Sequence, residues 1–216
     1  MVARPVNRQE CPPALPGFEH VSRSFNPVFE QWTARVLPGQ FYVTRDDEIV
    51  TTVLGSCVAA CIRDTELGVG GMNHFMLPTD DGLRNNDPDG GAALLTRFGV
   101  AAMESLVNEI MKLGGSRARL EMKLFGGGNV LGMPGQHVGM RNIRFVREFA
   151  RVERIPVAAE DLGGDAPRKL NYFPRTGKVM LKRLRSAQSD GVVMRERQYQ
   201  SSICGNDKTG AVYLFD

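Results

Sequence analysis

The sequence has few cysteines and no long hydrophobic run. Its four cysteines, Cys11, Cys57, Cys61 and Cys204, are too irregularly spaced for the disulfide framework of a small secreted protein. The uncharged stretch at residues 49–62 is interrupted by Thr, Gly, Ser and Cys, and it is shorter than the roughly 20 apolar residues of a membrane span. Prolines and charges occupy the N-terminal residues, where a secretory signal has a continuous apolar segment. We therefore expect a cytoplasmic protein with free thiols and no membrane insertion.

The chain also lacks a large net charge. Its formal charge of +3 is too small to predict nucleic-acid binding, and 42% hydrophobic residues are typical of a folded domain with a core. Residues 46–91 carry two basic and nine acidic side chains, whereas residues 141–185 carry twelve basic and five acidic ones. We interpret both segments as solvated surface, with an acidic partner for the basic segment as the alternative.

Composition divides the chain into three segments. Residues 1–36 are rich in proline and predict a leader that is poorly ordered or docks locally around Phe25, Phe29 and Trp32. Residues 37–185 form the predicted domain. Residues 186–216 are a polar C-terminal extension, in which only residues 212–215 have the apolar character of a docking segment.

Apolar periodicity within the domain predicts both strands and helices. Helices are expected at 92–113 and 141–154, the second displaying arginines on its solvent face. Strands are expected at 40–44, 48–54, 58–63, 70–77, 120–125, 157–161 and, bent by Pro174, 172–181. Because the two kinds of element do not alternate regularly, we predict a single α/β domain with a mixed, largely antiparallel sheet.

Cys57 is the first candidate functional residue. It follows Gly55 and Ser56, and a glycine next to a thiol permits a tight turn that presents backbone N–H groups to the atom under attack. A buried packing cysteine is the competing interpretation, since free cysteine is among the most buried residue types.

His74 favours the catalytic interpretation. If residues 58–63 and 70–77 pair as neighbouring strands, the imidazole lies beside Cys57 in a pocket open to solvent. There it can lower the pKa of the thiol. Thr51 or Thr52 can then orient the ring with a hydroxyl group, whereas the Asn73 side chain points away. A hydrogen-bonded core histidine is one alternative.

A metal site is another alternative. Its ligands would be Cys57, Cys61 and His74, but a C-x-x-C pair and a fourth ligand are missing.

Five separated blocks of the sequence, at residues 51–57, 70–78, 123–128, 139–143 and 161–179, stand out together. In order and spacing they resemble the CheD family of chemoreceptor glutamine deamidases, and the likeness covers roughly residues 38–185. The first two surround the cysteine and the histidine, and the third contains Phe125, Gly126 and Gly127.

The resemblance implies a three-layer α/β sandwich and a Cys–His–Thr site. Cys57 is then the nucleophile, His74 the base and Thr51 the orienting hydroxyl, with Thr52 as the neighbouring alternative. Gly55 and Ser56 would shape the turn and the oxyanion site. Phe125, Gly126 and Gly127 would lie at a surface shared with a CheC-type phosphatase, or Phe125 would belong to the core. No metal or cofactor is expected.

The same resemblance implies a reaction. The protein would convert glutamines of methyl-accepting chemotaxis receptors to glutamate through a Cys57 thioester and release ammonia. Minor receptor methylesterase activity is a secondary hypothesis, and a non-catalytic adaptor that binds receptors or the phosphatase is the alternative function. We expect a monomer.

Overall fold

The computed structural model describes residues 11–78, 88–130, 138–184 and 190–205. Three α-helices lie in these ranges: α1 (Pro88–Lys112), α2 (Val138–Val152) and α3 (Asp190–Gly205), with a short 3-10 helix at Arg117–Arg119. The strands are β1 (Arg23–Asn26), β2 (Gln31–Arg35), β3 (Phe41–Thr44), β4 (Ile49–Leu54), β5 (Val58–Asp64), β6 (Gly70–Asn73), β7 (Leu120–Gly126), β8 (Val157–Leu162), β9 (Arg168–Phe173) and β10 (Lys178–Arg183).

The strands form two five-stranded sheets. The first has the order β1-β2-β4-β9-β10, and only its β2–β4 pair is parallel. The second has the order β3-β6-β5-β7-β8, and only its β7–β8 pair is parallel. The predicted α/β class with mixed, largely antiparallel pairing is confirmed, although the strands are divided between two sheets. The three-layer arrangement stays a prediction.

Strand β5 lies at the centre of the second sheet and begins one residue after Cys57. Its sequence from Val58 to Ile62 is apolar and buried throughout, as is typical of a strand covered on both faces. Helix α1 contacts β3, β5 and β6, while α2 contacts β5 and β7. One hydrophobic core joins both sheets to these helices, and it holds the start of β5 in a fixed place.

Both predicted helices form close to their expected bounds. In α1, Leu106 and Ile110 are buried and Ala102 is partly buried, as the periodicity predicts. In α2, Ile143 and Val146 face the core. The arginines predicted on the solvent side are exposed: Arg144, Arg147, Arg151 and, beyond the end of the helix, Arg154.

Two elements differ from the sequence expectation. The predicted bent strand at 172–181 is a hairpin of β9 and β10, because the backbone reverses after Pro174 and Gly177 adopts a positive φ of 73°. The polar extension contains helix α3, while its predicted docking segment at 212–215 lies outside the described residues.

The segment predicted as a leader contributes two strands to the first sheet. Strand β2 pairs with β4 in parallel, with Arg35 opposite Thr51, so the sheet crosses the boundary expected near residue 37. Phe25 and Trp32 stack edge to face across the β1–β2 pair. Among the described residues, no helix has the length and apolar character needed to cross a membrane.

Candidate active site

The turn between β4 and β5 consists of Gly55, Ser56 and Cys57, and all three of its carbonyl groups are bound from one side. This arrangement uses every backbone acceptor of the turn within the protein. In chain order, the donors are Gly128 N at 2.7 Å, Asn142 Nδ2 at 2.8 Å and Gly127 N at 2.7 Å.

The backbone N–H groups of the same three residues point to the opposite side, where they meet the carboxylate of Glu196 in α3. Gly55 N and Cys57 N donate to its Oε1 at 2.8 and 3.1 Å. Ser56 donates to Oε2 from both its N–H and its hydroxyl, at 2.8 and 2.7 Å. Successive N–H groups that converge in this way form an anion-binding nest.

The missing side chain of Gly55 makes room for that carboxylate. A Cβ atom at this position would lie 2.7 Å from Glu196 Oε2 and 2.5 Å from a methyl group of Val130. Gly126 plays a similar part on the other side of the turn, since it has a φ of 107° and a Cβ there would lie 2.2 Å from the Cys57 carbonyl oxygen. Both glycines are therefore required by close packing around the turn that carries Cys57.

His74 lies just beyond the end of β6, and its backbone is held by Gly39 and Gln40. Phe75 makes an isolated antiparallel bridge with Val58, which brings the imidazole beside Cys57. The predicted pairing of the two segments is therefore confirmed by this bridge and by the β5–β6 ladder.

The tautomer of His74 follows from the hydrogen bonds of Thr52. The Thr52 hydroxyl donates its single hydrogen to the Val36 carbonyl at 2.7 Å, so it accepts from His74 Nδ1 at 2.8 Å. The ring proton consequently resides on Nδ1. Nε2 is buried and has no hydrogen-bond partner among the described residues, so its lone pair is available to a proton from Cys57.

The sulfur of Cys57, a ring nitrogen of His74 and a carboxylate oxygen of Glu196 all lie within 4.8 Å of one another. Their residues are 0%, 2% and 1% exposed. The expectation of a pocket open to solvent is therefore wrong for this structure, because α3 lies over the site. A cavity of about 260 Å³ remains beside His74 and Glu196, lined also by the cationic side chains of Arg35 and Lys169.

Burial and charge keep the two reactive groups neutral. Burial raises the pKa of the Cys57 thiol well above its ordinary value, and the negative charge of Glu196 raises it further. Burial lowers the pKa of His74, against the opposing effect of the Glu196 carboxylate. With α3 in place, the site holds a thiol and a neutral imidazole, and thiolate formation is disfavoured.

Thr51 is not beside the imidazole, which corrects its assignment as the orienting hydroxyl. Its Oγ1 donates to the Leu170 carbonyl at 2.7 Å and lies 2.8 Å from Asn171 Oδ1. Neighbouring residues of a strand face opposite sides, so only Thr52, the alternative position, faces His74. Asn73 points away as expected, with Oδ1 accepting from Ala60 N and Nδ2 donating to Ala102 O.

The third sequence block, residues 123–128, packs in the interior against the turn that carries Cys57. Phe125, Gly126 and Gly127 are all buried, and Gly127 N donates to the Cys57 carbonyl. A Cβ on Gly127 would lie 2.5 Å from the Ile143 side chain, which explains the glycine. Burial corrects the interpretation of these residues as a surface for a partner, and it places Phe125 in the core.

The predicted alternative metal set is not assembled. Among the described residues, the only cluster with suitable ligand geometry is Cys57, His74 and Glu196, and Cys61 is not part of it. Both oxygens of Glu196 already accept hydrogen bonds from the turn. The carboxylate thus occupies an anion site made of N–H groups, rather than a vacant position for a cation.

Sequence reasoning missed two residues of the site. Glu196 lies in the segment predicted as a polar extension, and a single glutamate among polar residues gives no signal. Asn142 holds the Ser56 carbonyl with Nδ2 and accepts from Leu77 N with Oδ1, at 2.8 and 2.9 Å. Its position inside one of the five sequence blocks was the available signal.

Together, the fold and the site define a class of protein. A cysteine beside an imidazole of fixed tautomer, on a turn whose N–H groups can stabilise an oxyanion, is the arrangement of a cysteine-dependent hydrolase. The α/β domain presents these groups on the turn between β4 and β5 and at the end of β6.

Comparison with known proteins identifies the family. The chain matches the model of CheD chemotactic sensory transduction over residues 76–183. It is 47% identical over 204 residues to a protein of Halorhodospira halophila, covering 94% of both chains, and 46% identical over 208 residues to one of Hahella chejuensis, covering 96% of both. A protein of Thiobacillus denitrificans is 49% identical over 188 residues, covering 87% of this chain and 91% of the relative. All three are named probable chemoreceptor glutamine deamidase CheD. The chain belongs to the CheD family.

Proposed function

We propose that this protein deamidates glutamine side chains of chemotaxis receptors, with Cys57 as the nucleophile and His74 as the base. The observation that carries the proposal is the binding of a side-chain carboxylate to three successive N–H groups beside the Cys57 sulfur. A glutamine side chain has the same length and shape as that of glutamate. The names of the relatives supply the receptor substrate.

The first half of the reaction forms a thioester. Nε2 of His74 takes the thiol proton, and the sulfur attacks the carboxamide carbon. The oxyanion that develops is stabilised by the N–H groups of Gly55 and Cys57. The protonated imidazole then donates its proton to the departing nitrogen, the C–N bond breaks, and ammonia leaves.

The second half hydrolyses the thioester. His74 removes a proton from water as the oxygen attacks the carbonyl carbon, and the C–S bond breaks to release glutamate and the thiol. Thr52 keeps Nδ1 protonated through both halves and so keeps Nε2 directed at the reaction. A receptor methyl ester would give the same thioester with methanol as the leaving group, which makes methylesterase activity a secondary proposal.

The test is mass spectrometry of a receptor cytoplasmic fragment incubated with the protein. We expect specific glutamines to gain the mass difference between a carboxamide and a carboxylate, with release of ammonia. Cys57→Ala and His74→Ala should abolish both signals, because each removes a group that acts on the reacting carbon. Cys61→Ala is the matched control, since Cys61 lies in β5 outside the catalytic cluster.

Two results would reject the proposal. One is unchanged turnover in the Cys57→Ala protein with its fold intact. The other is binding of the fragment without conversion, both by the native protein and by a variant in which a substitution has displaced α3. The second result would favour the non-catalytic adaptor that binds receptors or a CheC-type phosphatase. Within this proposal the enzyme is cytoplasmic and monomeric. Sedimentation of the purified chain tests the monomeric state.

A further inference from the structure

Helix α3 presents one face to the domain, and a charged residue lies in the middle of that face. Val192, Glu196, Tyr199 and Ile203 follow helical spacing, and the first two are 3% and 1% exposed. Tyr199 packs so closely on Gly39 that a Cβ atom there would lie 2.7 Å from its hydroxyl oxygen. Arg195 and Arg197 face solvent. The helix therefore packs through apolar residues on both sides of a buried carboxylate.

Burying a carboxylate is costly unless its oxygens are fully hydrogen-bonded. Here four donors of the nucleophile turn meet the two oxygens of Glu196, at 2.7 to 3.1 Å. A helix that needed only to cover the sheet would place an apolar residue at this position. The donors form the oxyanion site of the proposed reaction, and the carboxylate in it has the structure of the reaction product.

We propose that α3 occupies the binding site of the substrate helix, with Glu196 bound as the product glutamate is bound. The proposal rests on the function proposed above and goes beyond it. The surface under α3 is then the docking surface for a partner helix that presents a glutamine between apolar residues at the fourth position before it and the third position after it. Substrate binds there only after α3 has left.

Electrostatics and hydrogen bonding support this assignment. Glu196 satisfies all four donors, whereas a carboxamide satisfies fewer because its nitrogen cannot accept from Ser56 N. The negative charge of Glu196 also raises the pKa of the Cys57 thiol, and a neutral glutamine would not. A glutamate in the site is therefore held more tightly than a glutamine and opposes thiolate formation.

The substitution Glu196→Gln turns α3 into a substrate within its own chain. The Cys57 sulfur bonds to the carboxamide carbon of the introduced side chain, the C–N bond breaks, and ammonia leaves with a proton from His74. Water then cleaves the C–S bond, which regenerates the thiol and leaves a glutamate at position 196. The modified chain is identical to the native protein.

The first experiment follows this conversion in the full-length chain. Peptide mapping of the Glu196→Gln protein, with a protease that does not cut at arginine, should find glutamate at position 196. Gln198 and Gln200 of the same helix should remain glutamine. Gln198 is exposed, and Gln200 lies one helical turn, about 6 Å, beyond the position that contacts the Cys57 turn. The Cys57→Ala, Glu196→Gln double variant should keep all three amides and so excludes spontaneous deamidation.

The second experiment measures competition with a receptor cytoplasmic fragment. Glu196→Ala removes the four hydrogen bonds that hold α3 in the oxyanion site, so the open state becomes more populated and turnover should rise about tenfold or more. Met194→Ala, on the solvent side of α3 with 72% exposure, should leave turnover at the native rate.

The outcomes distinguish this inference from the proposed function. Conversion of receptor glutamines with no conversion at position 196, or with equal rates for the native and Glu196→Ala proteins, overturns the inference and leaves the function standing. Conversion at position 196 in the double variant also overturns it. Loss of Cys57-dependent chemistry on both the receptor fragment and position 196 rejects the function and the inference together.

Discussion

The Thr52 hydroxyl has one hydrogen to donate, and this hydrogen is used by the Val36 carbonyl. The remaining contact with His74 Nδ1 therefore selects one tautomer of the ring. A group that acts only through another residue is a positioning residue, and its removal should affect the reaction rate more than substrate binding.

We expect Thr52→Val to lower kcat about 10- to 100-fold with little change in KM, because the ring loses its buried acceptor at Nδ1. Thr52→Ser keeps the hydroxyl group and should restore most of the rate. The measurement is steady-state ammonia release as a function of pH, and the profile should shift only in the valine variant.

Thr51→Val is the matched control because the Thr51 hydroxyl contacts the Leu170 carbonyl and Asn171, away from the imidazole. Its kcat should stay within about twofold of the native value, since it changes no group that acts on the ring. The reverse order, with Thr51→Val as the damaging change, would show that the hydroxyl groups had been assigned the wrong way round.

These two threonines show which features of the site could be predicted from the sequence and which could not. The sequence predicted Cys57, His74 and a threonine hydroxyl, since each has a recognisable setting. It could not decide between neighbouring threonines, because a shift of one residue in a strand exchanges its two faces. That choice depends on how β4 lies between β2 and β9.

At the scale of the element, α3 is a helix with an exposed glycine in its first turn. Gly191 has open space around its Cα and no positive φ, so alanine fits there without strain. Alanine stabilises a helix by up to about 1 kcal/mol relative to glycine. The substitution should therefore favour the state in which α3 covers the site.

We expect Gly191→Ala to lower the turnover of a receptor fragment by up to about fivefold, which is the rate equivalent of that stabilisation. Initial rates of ammonia release provide the measurement. In the Glu196→Ala background, where α3 no longer binds the turn, the same alanine should have no effect on rate. An equal decrease in both backgrounds would contradict the coupling between helix stability and activity.

The helices and strands that were predicted from the sequence are those with a clear apolar pattern. Helices α1 and α2 have repeated apolar positions and were predicted, as was the buried strand β5. Helix α3 was missed because its inward face contains a glutamate and a tyrosine, which weaken the periodic signal. Strands β1 and β2 were missed because prolines surround them and β2 pairs with a strand distant in sequence.

The stability of the whole molecule depends on a buried carboxylate remote from the site. Asp64, at the end of β5, is fully buried and accepts from the backbone N–H groups of Glu66, Leu67 and Ser116 and from the Arg119 guanidinium. Burial alone would raise the pKa of Asp64, but these hydrogen bonds outweigh it and hold the pKa well below its usual value.

We expect Asp64→Asn to lower the free energy of unfolding by about 1.5–3 kcal/mol at neutral pH, the range for hydrogen bonds to a charged group. Because the folded-state pKa is depressed, this contribution is present above the unfolded-state pKa of about 3.9 and is lost as the pH falls through the folded-state value. Urea unfolding of both proteins should show a difference that shrinks below about pH 4.

Glu66→Gln is the control for this measurement, since Glu66 is 73% exposed and lies 3.5 Å from the same arginine. Its effect should stay within about 0.5 kcal/mol. A difference between the native and Asp64→Asn proteins that grew on acidification would contradict the depressed pKa.

For the molecule as a whole, composition and periodicity were sufficient to predict a single α/β domain. They did not predict two separate sheets, because strand order is decided by contacts between distant segments. The placement of α3 over the turn that carries Cys57 was not predicted for the same reason. It joins residues about 140 positions apart, from Ser56 to Glu196.

The position of α3 over Cys57 also affects how readily the thiol is oxidised under oxidative stress. Peroxides attack the thiolate form of cysteine and need access to the sulfur atom. Cys57 is buried and its pKa is raised, so the covered site offers neither a thiolate nor access. The native protein should therefore form sulfenic acid at Cys57 slowly, and the Glu196→Ala protein quickly, as a dimedone adduct would reveal. An enzyme of this construction would be vulnerable to peroxide damage chiefly during turnover.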